Sequence, residues 1–316
     1  MDGVLVIDKP EGITSHDVVS AARRILGEKR IGHTGTLDPL ATGVLPLACG
    51  RATRLVRFLT ASDKDYEATI VFGVTTDTLD VMGEETSRSG AAPSRDVLIR
   101  ALETFRGESM QVPPAYSAKK IAGRRAYEMA RRNEPVELEP VRVRISRLDL
   151  LETTGDRCRL ALTSSAGFYV RSLVRDLGER CGTGACLEAL RRTRSGDFVI
   201  DEAIDLDSLG RVREAALQQA AATPGHSRDK ARIANPDLET LLIPMEKLLP
   251  AFPAATVTAE GLSRVSHGQQ VRPVDLAGPA PAPGAWVRLH DTDGALVALA
   301  TPIPASGVLH PEVVLI

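Results

Sequence analysis

The apolar positions change period several times along the chain. Residues 3–8 (GVLVID) form a short apolar strand, followed by a Pro/Gly turn in KPEGITS. Thr14 and Asp17 then stand at capping-box spacing, with Asp in place of the commoner Glu or Gln. Val18, Ala22, Ile25 and Leu26 mark one helix face, and Gly27 is its natural stop. In residues 31–50 (IGHTGTLDPLATGVLPLACG) no period survives, and four glycines with two prolines predict a loop system of fixed turns. Residues 66–73 read as a strand and 96–105 as a helix. Residues 112–139 are irregular and basic, with a helical patch near 124–132. Residues 141–150 alternate Val/Ile with Arg, an amphipathic strand with a basic face, and 157–163 alternate similarly. Val170, Leu173, Val174, Leu177 and Cys181 lie on one face of a helix ending at Gly182.

The character changes near Pro250. Short strands in WVRLHD, ALVALAT and VLHPEVVL are separated by turn signals such as Asp293-Gly294, and AGPAPAPG (277–284) is a hairpin tip or linker. Two domains are expected: residues 1–250, and a small all-β module at 251–316. Within the first, 112–144 form an insertion and the polar stretch 223–236 a mobile loop.

Composition narrows the classes. A hydrophobic content of 43% supports a core, and no apolar run is long enough to span a membrane. MDGVLVIDKP is not a secretory leader, so cytoplasm is expected. Cys49, Cys158, Cys181 and Cys186 contain no CxxC, which fits reduced thiols better than zinc. Net charge is −2, yet residues 119–147 hold nine Lys/Arg against four Asp/Glu, while 195–250 hold six against ten. The cations gather in the first two-thirds of the chain, where they fit either a polyanion-binding face or solvated helix faces.

Asp38, between Leu37 and Pro39, is the strongest chemical candidate. The proline fixes its own φ and drives Asp38 away from helix, so the carboxylate rides a rigid turn. A turn-forming Asx residue is the plain alternative. Tyr66 opens a strand. Tyr169 and Arg171 lie in the first turn of a helix, where Arg171 can pair with a carboxylate and hold it ionised. Leu190, Arg191 and Arg192 fit either a pocket edge gripping phosphate or a helix terminus with solvated arginines.

GHTGTLDPLATGVLPLACGRATR resembles the catalytic signature of the TruB pseudouridine synthases. KPEGITS, KDYEATIVFGVTTDTLDVMGE, VPPAYSAKKIAGRRAYEMAR and SSAGFYVRSLVRDLGERCGTGACLEALRRTRSG resemble further motifs of that family, in its order, over roughly residues 3–200. LSRVSHGQQVRP and VRLHDTDGALVALA resemble a PUA RNA-binding domain. The resemblance implies an α+β fold: a catalytic domain on a mixed, largely antiparallel sheet, plus a small C-terminal β-barrel-like PUA domain. It implies isomerisation of uridine to pseudouridine at position 55 in the tRNA TΨC arm, with no metal or organic cofactor.

By the same resemblance Asp38 is the catalytic aspartate, Arg171 its partner, and Tyr66 the tyrosine that stacks on the base and assists proton removal. Tyr169 and Leu190 fall in the pocket. His33 is the residue inserted into the RNA loop when the base is flipped. Lys9, Lys120, Arg191 and Arg192 are expected to hold substrate. A base stacked in an RNA loop must be extruded before its glycosidic bond can be reached. His33 within GHTGTLDP and the short C-terminal module favour a stand-alone monomer without guide RNA. A guide-RNA-dependent synthase and a tRNA-folding chaperone are the alternatives.

Overall fold

The structure is a computed structural model of the 316-residue chain. It describes residues 1–117, 119–121, 123–132, 134–222, 236–279, 281, 284–304 and 306–316. The loop expected at 223–236 therefore lies almost wholly outside the described residues.

Ten strands form the main sheet among the described residues. Eight run in the spatial order Leu242–Pro244, Gly3–Lys9, Thr42–Cys49, Ala185–Ser195, Lys64–Phe72, Arg157–Ser164, Val141–Thr154 and Gly107–Gln111. Ile31–His33 joins Thr42–Cys49, and Phe198–Val199 joins Ala185–Ser195. Every pairing is antiparallel except that of Thr42–Cys49 with Ala185–Ser195, which is parallel. With its helices this is the α+β class expected.

The first strand shows why its sequence is apolar without alternation. Leu5 and Ile7 enter the core on one face, beneath helices Ser15–Leu26 and Val170–Cys181, while Val4 and Val6 enter a second core on the other. A strand covered on both faces has no polar phase. The second core is roofed partly by the C-terminal residues Leu296, Leu299, Val313 and Leu315.

The loop reading of 31–50 needs correction. Thr42–Cys49 is a central strand, paired along its length with Gly3–Lys9. Long-range pairing overrides the strand-breaking residues. Gly43 (φ 98°) is required by close approach, because a Cβ there would lie 2.2 Å from the Arg192 carbonyl oxygen. Residues 190–192 are likewise not at a helix end but in the strand Ala185–Ser195.

The C-terminal residues form a separate four-stranded sheet: Ala254–Thr256, Val287–His290, Leu296–Pro302 and Leu309–Val314. Helix Ala259–Ser266 packs on it through Val265. Isolated bridges Val257–Leu276 and Val271–Leu309 fold the intervening segment back against these strands.

Candidate active site

The segment from Thr34 to Ala41 links two strands that pair with each other, and it carries Asp38. Little in it is free to move. The Ser15 hydroxyl, in the first turn of helix Ser15–Leu26, donates to the Leu37 carbonyl (2.9 Å) and accepts from the Leu37 N–H (2.8 Å). Gly12 N–H donates to the Pro39 carbonyl at 2.8 Å. The Lys9 ammonium, fully buried, donates to the carbonyls of Ala41 (2.7 Å), Pro10 (2.8 Å) and Pro39 (3.3 Å). Thr34 N–H reaches the Pro46 carbonyl, and Ala41 N–H closes a turn on the Asp38 carbonyl. The capping box of Thr14 and Asp17 sets where that helix begins, and so where Ser15 points.

Asp38 projects from this frame onto Arg171, with Oδ2 2.8 Å from its guanidinium. Helix Val170–Cys181 starts at the right place because the Gln111 side chain holds both sides of Tyr169, accepting from its N–H (2.9 Å) and donating to its carbonyl (3.1 Å). Arg171 is buried and fully engaged. It donates to the carbonyls of Thr78 (2.9 Å) and Tyr116 (2.8 Å), and its other edge lies 3.6 Å from Asp80. Asp80 in turn accepts from the Thr78 hydroxyl and the Met82 N–H. The turn that presents it holds Leu79 at φ 66°, a left-handed conformation that a branched side chain adopts only where surrounding contacts enforce it.

Solvent reaches 40% of the Asp38 side chain, while protein encloses the rest. That enclosure pushes its pKa above the usual carboxylate value; Arg171 opposes the rise and the Asp80 charge adds to it. The result is an ionisable oxygen more basic than an exposed aspartate, aimed by a cation that cannot move away.

The other expected residues fall into three groups. Tyr169 lies close enough to Asp38 to feel its charge, and burial raises the pKa of its phenol. Leu190 and Tyr66 are buried on neighbouring strands of the main sheet, Tyr66 directly opposite Arg192. His33, half-buried, has its pKa pushed down by burial and by Arg192, and its Nδ1 has no hydrogen-bond partner among the described residues.

Three cations expected to grip substrate are spent otherwise. Lys9 is buried under the Asp38 loop. Arg191 forms a bidentate pair with Asp8 (2.8 and 3.1 Å). Arg192 is 1% exposed, bonded to the Val44 carbonyl (2.7 Å) and the Gly35 carbonyl (3.2 Å). Each sits where a backbone carbonyl or carboxylate satisfies it, so none presents a free charge to phosphate. The Lys120 side chain lies outside the described residues.

Ser15, Gln111 and Asp80 were not anticipated. Ser15 and Asp80 stand inside stretches already singled out, but only the folded register shows what they touch. Among the described residues no cluster of His, Cys, Asp or Glu could hold a metal, and no helix is long and apolar enough to cross a membrane.

Similar arrangements exist in known proteins. The chain superposes over 99% of its length on 85% of a chain in the crystal structure of a Cbf5–Nop10–Gar1 complex, with TM-score 0.75 and 26% identity. A structure of an H/ACA RNP bound to a substrate RNA containing 2′-deoxyuridine gives TM-score 0.73, again at 26% identity, over 99% of this chain and 85% of that one. Residues 23–170, which carry the Asp38 loop, match the N-terminal domain model of the TruB family pseudouridylate synthases, so the fold is that of a pseudouridylate synthase. Residues 171–250 match the tRNA pseudouridylate synthase B C-terminal domain. A protein of Solibacter usitatus named tRNA pseudouridine synthase B is 43% identical over 316 residues, all of both chains. One of the same name from Gluconacetobacter diazotrophicus is 43% identical over 89% of this chain and 86% of its own. The chain belongs to the TruB family.

Proposed function

We propose that this chain isomerises uridine 55 in the TΨC arm of tRNA to pseudouridine, without a guide RNA, using Asp38 as its catalytic carboxylate. The observation that carries the reading is the 2.8 Å pair of Asp38 with a buried Arg171, on a loop pinned at almost every residue. Full-length identity of 43% to a chain named for tRNA supports the stand-alone substrate.

The uridine has to leave its stack and reach Asp38, which requires a few kcal/mol of unstacking. Tyr66 and Leu190 supply surfaces for the base and ribose, and the neutral His33 ring fills the vacated place. Ionised Asp38 then either attacks C1′, displacing the uracil from N1, or removes the 2′ proton to give a glycal. In both routes the freed uracil turns and C5 bonds to C1′, expelling the Asp38 carboxylate in the first and with Asp38 returning the proton to C2′ in the second. The C5 proton is lost to Tyr66, and N1 gains one, so the product is an isomer. A 2′-deuterium isotope effect on turnover marks the glycal route and its absence the nucleophilic one.

The test is tritium release from C5-labelled uridine in an unmodified tRNA transcript. Wild type is expected to release it without guide RNA, and Asp38→Asn to bind the transcript without release. Equal release by both would remove Asp38 from the chemistry. No release by wild type would leave only RNA binding or guided catalysis.

A further inference from the structure

Arg192 is a large buried cation with no carboxylate against it among the described residues. Arg171 by contrast meets Asp38 and Asp80, and Lys9, which caps carbonyls as Arg192 does, also feels the Asp38 charge. An unneutralised guanidinium inside a protein is destabilising by several kcal/mol, so its retention calls for a role.

Its surroundings show one. Nε donates to the Val44 carbonyl and one terminal nitrogen to the Gly35 carbonyl, which fixes the guanidinium between the strand Thr42–Cys49 and the start of the Asp38 loop. Arg192 is also the cross-strand partner of Tyr66, on the same face of the sheet, close enough for guanidinium and phenol to attract each other. Among the described residues the phenol is the one acidic group acting on this cation. Gly43 has no side chain, which lets the Arg192 backbone lie against the strand that bears the Val44 carbonyl.

We infer that Arg192 is a positioning residue for Tyr66: it holds the phenol oxygen at the reacting base and supplies the positive charge that balances this oxygen when it takes the C5 proton. The inference rests on the role given to Tyr66 above. In the step concerned the C5–H bond breaks, its electron pair becomes the C5=C6 bond, the N1=C6 π pair moves to N1, and N1 takes up a proton. The proton from C5 passes to the Tyr66 oxygen as the phenol's own proton leaves to solvent, and N1 takes its proton from solvent, so the step is neutral overall. Arg192 also joins Tyr66 to Gly35, three residues before Asp38, so the group that starts the reaction and the group that ends it share one anchor.

The experiment compares single-turnover rates on tRNA carrying ordinary or 5-deuterated uridine, with tRNA affinity measured alongside. The variants are Arg192→Gln, Arg192→Lys, Tyr66→Phe and the double variant Arg192→Gln/Tyr66→Phe. Arg192→Gln is expected to slow turnover about 100-fold, the scale of a lost acid–base contribution. It should keep its tRNA affinity and reveal a primary C5 isotope effect. Arg192→Lys, which keeps the charge, should recover part of the rate, and the double variant should be no slower than Tyr66→Phe. Weakened tRNA binding that accounts for the lost rate would overturn the inference in favour of a phosphate contact. So would effects of the two residues that multiply in full, or a slow Arg192→Gln with no isotope effect. Should Arg192→Gln not fold, Arg192→Lys decides by the same isotope effect. Wild-type turnover by Tyr66→Phe would instead overturn the role of Tyr66 itself.

Discussion

Removing one hydroxyl, that of Ser15, tests whether the catalytic loop is held by the frame around it. Ser15 touches no substrate, and its oxygen makes two buried hydrogen bonds, donating to the Leu37 carbonyl and accepting from the Leu37 N–H. Ser15→Ala leaves one donor and one acceptor buried without partners immediately before Asp38. At about 1–3 kcal/mol for each orphaned group, partly relieved by local shifts, the expected loss is about 2–4 kcal/mol. Thr14→Ala is the control. It removes the exposed helix cap one residue earlier, for about 1 kcal/mol, without touching the loop. The two variants are compared by urea midpoint and by tritium release at saturating tRNA. Ser15→Ala should lose more stability than Thr14→Ala. Its turnover should fall about 100-fold at 25 °C, where both remain folded, because a displacement of about 1 Å at a reacting group has that effect. Equal losses of stability together with unchanged turnover in Ser15→Ala would show that the Leu37 bonds do not set the position of Asp38.

Further expectations follow from the charges around Asp38. Turnover needs ionised Asp38, whose pKa is raised, so kcat/KM should fall as pH drops through a value above the usual carboxylate range. Because the Asp80 charge adds to that rise, Asp80→Asn should move the acid limb to lower pH; a limb that moves upward would contradict the electrostatic reading. Burial lowers the Lys9 pKa to about 8 from an ordinary 10.5. Between those values the unfolded chain holds a proton at Lys9 that the folded chain has lost, so stability should rise with pH there. The difference in unfolding free energy between wild type and Lys9→Met should therefore grow in favour of wild type from pH 8 to 10.5, and a flat difference would place Lys9 in a solvated setting. Arg171→Lys keeps the charge but cannot reach Thr78, Tyr116, Asp38 and Asp80 together, so it should bind tRNA and lose most of its turnover.

What the sequence made legible was local. The capping box at Thr14 and Asp17, the Gly27 and Gly182 stops and the helix face from Val170 are set by residues within a few positions of one another, and all are present in the fold. The strand Thr42–Cys49 was not legible, because its partners are Gly3–Lys9 and residues 191–192, the latter about 150 positions away. Its Gly43 and Pro46, taken alone, point to a loop. Charge misled in the same way. Lys9, Arg191 and Arg192 look like phosphate ligands along the chain, yet only the fold shows that carbonyls or Asp8 already occupy them. Ser15, Gln111 and Asp80 carry no pattern of their own, since a lone hydroxyl, amide or turn carboxylate acquires its role from what the fold sets opposite it.

The roof over the back of the main sheet has a consequence for how the chain can vary. Trp286 stacks edge-on against Phe58, Phe58 against Phe252, and Arg57 lies over Phe58 and Trp286, while Arg51 and Arg54 bond the carbonyls of Leu315 and Val314. The last strands of the chain thus complete the same apolar interior that Val4, Val6 and Val44 begin. A segment built in this way is no detachable accessory. Because its residues close that interior, it is expected to melt with the catalytic sheet in one calorimetric transition and to hold its offset from Asp38 as the fixed jaw of a caliper does from its scale. An RNA that touched both surfaces would be gauged by length, and a lineage that shed the C-terminal strands would have to re-face the sheet they cover.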